Sequence, residues 1–161
     1  MIEAPQVTIS ERQSAAVIHI RCPRDQIREE VGPAIKEVLG EMARQRLSPQ
    51  GPLFMHHLAM SSTHFDVEVG FPVNASFRTN GRVRGGELPA ARVVRTIYSG
   101  PYEGLSAAWD EFGKHLERDR PVDRKLLSPI TTLWERYLIG PETSDDPGQW
   151  RTELNLPLGK A

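Results

Sequence analysis

Two distant segments of this chain are nearly the same strand. Phe65-Asp-Val-Glu-Val-Gly-Phe-Pro-Val73 and Trp150-Arg-Thr-Glu-Leu-Asn-Leu-Pro-Leu158 each open on an aromatic residue and carry Glu fourth and Pro eighth. Apolar residues dominate the odd positions of both, the alternation of a strand with one buried face. Chance similarity of two amphipathic strands would not require the shared Glu and Pro. Duplication of one unit is the reading that most constrains the fold.

The elements before each strand come in the same order. Val7 to Arg21 reads as strand one, with Ala16-Val-Ile-His-Ile20 as its core. After Cys22-Pro23, Asp25 is the expected N-cap of helix one, whose apolar residues Ile27, Val31, Ile35, Val38, Leu39, Met42 and Leu47 fall at helical spacing. Pro33 lies inside that pattern, so a lead-in turn is expected up to Gly32 and the main helix from near Pro33. Ser48-Pro-Gln-Gly-Pro52 stops it, and Leu53 to Met60 and Phe65 to Val73 follow as two strands joined through Ser61-Ser-Thr63. Asn80 to Pro89 has the composition of a connector. The second copy then runs from strand Ala91–Ser99 to a helix opened by Gly100-Pro101 and carrying Tyr102, Leu105, Trp109, Phe112 and Leu116. A loop through Pro121 and Ser128-Pro129 leads to strand 131–138, a turn-rich stretch from Gly140 to Gly148, and the strand Trp150–Leu158. The expected fold is α+β: duplicated β-α-β-β units forming a mostly antiparallel sheet of six or more strands, with the two main helices on one face. The 161 residues are read as one domain, with pseudo-repeat one at about 5–80 and pseudo-repeat two at about 88–158.

Several function classes are disfavoured. A formal charge of -1 supplies no field for phosphate backbones, so direct nucleic-acid binding is not expected. The arginines at 78, 82, 84, 92 and 95 cluster around the connector without interleaved aromatics and read as a solvated loop. Cys22 is the only cysteine, which fits a reducing compartment. The N-terminal residues lack a signal-peptide pattern, and no stretch approaches the roughly 20 apolar residues that span a bilayer. The expected location is cytoplasmic, with no membrane association. His56 and His57 point to opposite sides of a strand, and His19, His64 and His115 have no ligand spacing, so no metal is expected. No phosphate loop or nucleophile elbow appears, and no cofactor is expected.

Gly100-Pro-Tyr-Glu-Gly-Leu105 with Trp109, Trp134-Glu-Arg-Tyr137, Asp146-Pro147 before Trp150-Arg-Thr-Glu-Leu154, and Asp66-Val-Glu-Val-Gly-Phe-Pro72 resemble a known family. It is the gyrase-inhibitor-like (GyrI-like) domain, found also as the effector-binding domain of AraC-type and multidrug-responsive transcription regulators. The resemblance covers nearly the whole chain. It implies a duplicated β-α-β-β fold whose helices flank a cleft for hydrophobic, aromatic and often cationic compounds. The two repeats consume the sequence, leaving no room for a helix-turn-helix module, so the expected likeness is to stand-alone members. Roles among those include small-molecule binding, toxin protection, gyrase inhibition and, in one branch, hydrolysis of strained cyclopropane-containing toxins.

The candidate site centres on Glu135. Along its strand Leu133, Glu135 and Tyr137 share one face, and alignment of the repeats sets them against Leu53, Met55 and His57. Glu135 thus replaces a methionine on a face expected to be apolar and turned toward the helices, where a carboxylate costs several kcal/mol unless offset. A cationic or hydrogen-bond-donating ligand packed on Tyr137, Trp109 and Tyr102 would offset it, with Met55, His57 and Tyr98 as further ligand-binding residues. Alternatively Glu135 accepts hydrogen bonds from Tyr137, His57 or an arginine in a purely structural network. Phe112 and Leu116 read as core. Glu68 and Glu153 read as residues of a solvated sheet face.

The leading expectation is therefore a receptor or sequestering protein for lipophilic, cationic aromatic small molecules. The alternatives are a hydrolase in which Glu135 activates water or protonates a leaving group while Tyr137 orients the substrate, and a gyrase-inhibitor-type protein with a large protein partner.

Overall fold

In the computed structural model, which describes residues 1–59, 61–119 and 132–158, the two matching strands hold the same place in two units of like design. One unit spans residues 11–90 and the other residues 1–10 with 91–161. The first contains β2 (Gln13–Pro23), α1 (Ile27–Arg44), β3 (Phe54–Ala59), β4 (His64–Pro72) and β5 (Val83–Leu88), with sheet order β3-β4-β2-β5. The second contains β1 (Gln6–Ser10), β6 (Ala91–Ser99), α2 (Leu105–Asp119), β7 (Leu133–Ile139) and β8 (Arg151–Pro157), in order β1-β6-β8-β7. Within each unit the strands pair antiparallel, giving an α+β fold built twice from β-α-β-β.

The pairing register demonstrates the repeat residue by residue. On β3 and β4, Phe54, Met55, His56 and His57 face Gly70, Val69, Glu68 and Val67, and after a bulge Ala59 faces Asp66. On β7 and β8, Trp134, Glu135, Arg136 and Tyr137 face Asn155, Leu154, Glu153 and Thr152, and after a bulge Ile139 faces Arg151. Met55 and Glu135 are thus equivalent, as are His57 and Tyr137. The helix entries match too: a 3₁₀ turn over Arg24–Gln26 precedes α1, and one over Tyr102–Gly104 precedes α2. Arg24 therefore corresponds to Tyr102.

Four expectations about element boundaries and caps are corrected. The single strand Val7–Arg21 is two strands, because β1 pairs with β6 whereas β2 pairs with β4 and β5. The supposed connector Asn80–Pro89 contains β5. Gly85 and Gly86 lower its strand propensity, yet they permit close approach: a Cβ on Gly85 would stand 3.0 Å from the Phe77 carbonyl, and one on Gly86 2.9 Å from the Val17 side chain. Pro33 lies inside α1 rather than at its start. It removes one hydrogen bond, to the Glu29 carbonyl, and both residues are exposed so water can substitute. Asp25 stands within the 3₁₀ turn and caps nothing; Gln26 is the N-cap of α1, without a side-chain hydrogen bond. The strand end at Met60, the loop through Pro121 and Ser128-Pro129, and Thr131 lie outside the described residues.

Each helix covers one face of its own sheet. Ala34, Val38 and Met42 of α1 are buried with Ile18, Ile20, Val67 and Val69, and Ala108, Phe112 and Leu116 of α2 with Val94, Leu133, Leu154 and Leu156. Such side chains contribute about 1.5–3 kcal/mol each for the larger ones when fully buried. The opposite sheet face is not the solvated surface expected. Glu68 and Glu153 are only 9% and 6% exposed, and each is held by arginine: Arg84 to Glu68 at 2.7 Å, Arg136 and Arg95 to Glu153 at 3.1 and 3.3 Å. Arg84, Arg92 and Arg95 are strand residues, not loop residues.

Glu41 fastens the approach to β5. It accepts hydrogen bonds from Gln45 Nε2 at 3.2 Å and Asn80 Nδ2 at 3.1 Å, while Gln45 grips both backbone groups of Arg78. The Gln45 hydrogen bond first, then Asn80 and the charges of Arg44 and Arg78, hold its carboxyl below the ordinary value against the opposing effect of burial. A carboxyl lowered on folding stabilises above its unfolded value and loses that contribution as pH falls through the folded value. Urea midpoints should therefore decline below the ordinary 4.5, and Glu41→Gln should remove part of that decline. An identical acid limb in both proteins would contradict this.

Candidate functional site

β7 and the first turns of α2 bring the Trp109 and Tyr137 side chains onto one carboxylate. Glu135 is 6% exposed on the helix-facing side of β7. Its Oε2 accepts from Trp109 Nε1 at 3.0 Å and its Oε1 from the Tyr137 hydroxyl at 3.0 Å. Trp109 lies one helical turn into α2, and its ring leans on Phe112 at 5.7 Å. These two neutral donors reduce the cost of burying the carboxylate. Burial, then the Glu135 charge, pushes the Tyr137 phenol well above its ordinary value. The hydroxyl accordingly stays a donor.

Tyr102 and Trp150 extend the cluster. Tyr102, in the 3₁₀ turn before α2, meets Tyr137 edge-on at 5.6 Å and Trp150 at 4.9 Å. Trp150 is fixed by its indole N–H donating to the Ser144 carbonyl at 2.8 Å. Asp146 caps the 3₁₀ turn Pro147–Gln149 just before Trp150, its Oδ1 accepting from the Gly148 amide at 2.9 Å. Trp150 was not among the candidate residues. Its signals were its equivalence to Phe65 and its place in the motif after Asp146-Pro147, read for strand register and resemblance but not for the site.

The other predicted residues fall as follows. Tyr98 is 5% exposed, and its hydroxyl donates to the Pro101 carbonyl at 2.7 Å. It braces the 3₁₀ turn so closely that a Cβ on Gly104 would stand 2.1 Å from that hydroxyl. Tyr98→Phe should loosen this support and cost about 1 kcal/mol in denaturant stability; an unchanged midpoint would show that the hydroxyl holds nothing. Met55 and His57 belong to the unit of residues 11–90, where Met55 packs on the α1 core and the His57 ring lies 5.6 Å from Phe65. Across the strands from Tyr137 and Tyr98 stands Thr152, fully buried, its Oγ1 without a hydrogen-bond partner among the described residues.

The equivalent position in the first repeat is furnished differently. There Met55 stands for Glu135, Val31 for Trp109, His57 for Tyr137 and Phe65 for Trp150. Arg24, in the place of Tyr102, lays its guanidinium 4.2 Å over the Phe65 ring, a cation–π contact supplied by the chain itself. In the second repeat the self-supplied cation is replaced by a tyrosine and the methionine by a carboxylate. Among the described residues no group of three or more His, Cys, Asp or Glu is placed to hold a metal ion. No described helix is long and apolar enough to cross a membrane.

Comparison with solved structures identifies the fold. The chain is similar to EcmrR, both in its DNA complex (20% identity, TM-score 0.77, covering 99% of this chain and 58% of that one) and as the isolated C-terminal domain (19%, 0.77, 98% of each). It is also similar to SAV2435 bound to tetraphenylphosphonium (9%, 0.66, 96% and 93%) and to a hydrolase encoded by lin2189 from Listeria innocua (14%, 0.62, 96% and 91%). At such identities the likeness shows the fold alone, and this chain spans little more than half of the EcmrR polypeptide. No family model matches the sequence. A search of curated proteins likewise finds no match.

Proposed function

We propose that the chain is a GyrI-like effector-binding domain whose Glu135 site receives lipophilic, cationic aromatic molecules in the cytoplasm. The observation that carries this reading is the internal contrast between repeats. One repeat places its own guanidinium over an aromatic ring; the other keeps the ring, enlarges the aromatic set and adds a buried carboxylate. Tetraphenylphosphonium on the structural neighbour SAV2435 supports the same ligand class. Direct nucleic-acid contact forms no part of the proposal for these residues.

Turnover is the second reading, favoured by the Tyr137–Glu135 hydrogen bond and by the hydrolase among the structural neighbours. Titration with tetraphenylphosphonium, following intrinsic tryptophan fluorescence, tests the binding proposal. Quenching that saturates with unaltered ligand mass supports a receptor. No saturable response would remove it, and hydrolysed electrophile in a parallel mass measurement would favour the enzyme.

A further inference from the structure

The turn after β7 brings a second carboxylate to the aromatic cluster. Gly140 is buried, and a Cβ built on it would stand 2.6 Å from the Tyr102 hydroxyl and 2.9 and 3.1 Å from the two carboxylate oxygens of Glu142. Hydroxyl and carboxylate thus converge on the small space that the missing side chain leaves. Neither has a hydrogen-bond or ion-pair partner among the described residues, although Glu142 lies close enough for its charge, after burial, to push the Tyr102 phenol up.

The position of Glu142 is built, not incidental. The amides of Thr143 and Ser144 both donate to the Gly140 carbonyl at 3.0 Å, closing the turn that bears Glu142. Its far end is tied to the Trp150 indole through the Ser144 carbonyl. The ring that stacks with Tyr102 therefore also sets the turn. Tyr102 stands between two carboxylates, Glu135 on its buried side through Tyr137 and Glu142 on its exposed side.

We infer that this site takes ligands with two cationic centres on one aromatic frame, the first anchored by Glu135 and the second received by Glu142 and the Tyr102 hydroxyl above Gly140. The inference rests on Glu135 being the cation anchor. Charge, cation–π contact and a hydroxyl acceptor are then all available to the outer centre. The outer carboxylate is exposed, so its contribution is that of a partly screened ion pair.

The test compares a mono-quaternary quinolinium with bis-quinolinium homologues of graded linker length, on the wild-type chain, Glu142→Gln and Glu135→Gln. At least one homologue should bind wild type about three- to fivefold tighter than the monomer beyond the statistical factor of about two for its two heads. That excess should shrink as salt rises and vanish in Glu142→Gln. Should no linker length give an excess, or should the excess survive Glu142→Gln, the inference is overturned. Failure of the underlying reading looks different: monocation affinity would then be the same in wild type and Glu135→Gln.

Discussion

Gly70→Ala should unfold or severely destabilise the unit of residues 11–90. Gly70 lies on β4, central between β2 and β3, and a Cβ there would stand 1.9 Å from the Ala16 carbonyl oxygen and 2.9 Å from the Val17 Cα. Those atoms belong to the neighbouring backbone and cannot rotate away, so relief requires parting β2 from β4 along a ladder running from Ala15↔Pro72 to Pro23↔His64. The cost should be about 3 kcal/mol or more, the upper range for overpacking a core. The equivalent residue of the second repeat, Asn155, carries a fully buried side chain, so the strands must approach more closely at Gly70. Chemical denaturation monitored by circular dichroism would decide. A midpoint within error of wild type would show that β2 and β4 can move apart freely.

The second large effect concerns ligand affinity. Glu135→Gln removes the charge expected to face a cation and should weaken tetraphenylphosphonium by roughly ten- to a hundredfold, corresponding to about 1.5–3 kcal/mol for a contact to a charged group. Folding should survive, for a geometric reason. Among the described residues the carboxylate accepts hydrogen bonds from Trp109 Nε1 and the Tyr137 hydroxyl. A glutamine offers one acceptor oxygen and one donor amide. The indole can only donate and takes the oxygen, whereas the tyrosine hydroxyl can rotate and accept from the amide. Stability should thus change by no more than about 1 kcal/mol, leaving affinity as a clean readout.

Much of this was legible because period-two patterns are local. The alternation in Phe65–Val73 and Trp150–Leu158 fixed the two copies, and placing Met55 against Glu135 followed from equal spacing within Leu53–His57 and Leu133–Tyr137. What local pattern cannot supply is the partner of a strand. The Val7–Arg21 run looks continuous, yet β1 completes the unit of the second repeat and β5 that of the first, an exchange written only in nonlocal hydrogen bonds. Glu68 and Glu153 looked solvated because a carboxylate on a polar face is the same letter whether water or arginine satisfies it. Trp150 joins the aromatic cluster through the 3₁₀ turn that aims Tyr102, and Glu142 through a close approach at Gly140; both depend on turn geometry rather than periodicity. Arg24 over Phe65 becomes informative only when Pro23 and Pro101 are aligned, which sets it in the place of Tyr102.

The central claim is that Glu135 selects for positive charge within an aromatic site. Its most direct test is calorimetric titration of wild type and Glu135→Gln, each confirmed folded by its melting curve, with tetraphenylphosphonium and with neutral triphenylphosphine oxide. The expected result is a roughly ten- to a hundredfold loss for the cation and a loss of less than about threefold for the neutral compound, which touches the rings but not the charge. Equal losses for both ligands, or an unchanged cation affinity in the folded variant, would contradict the account.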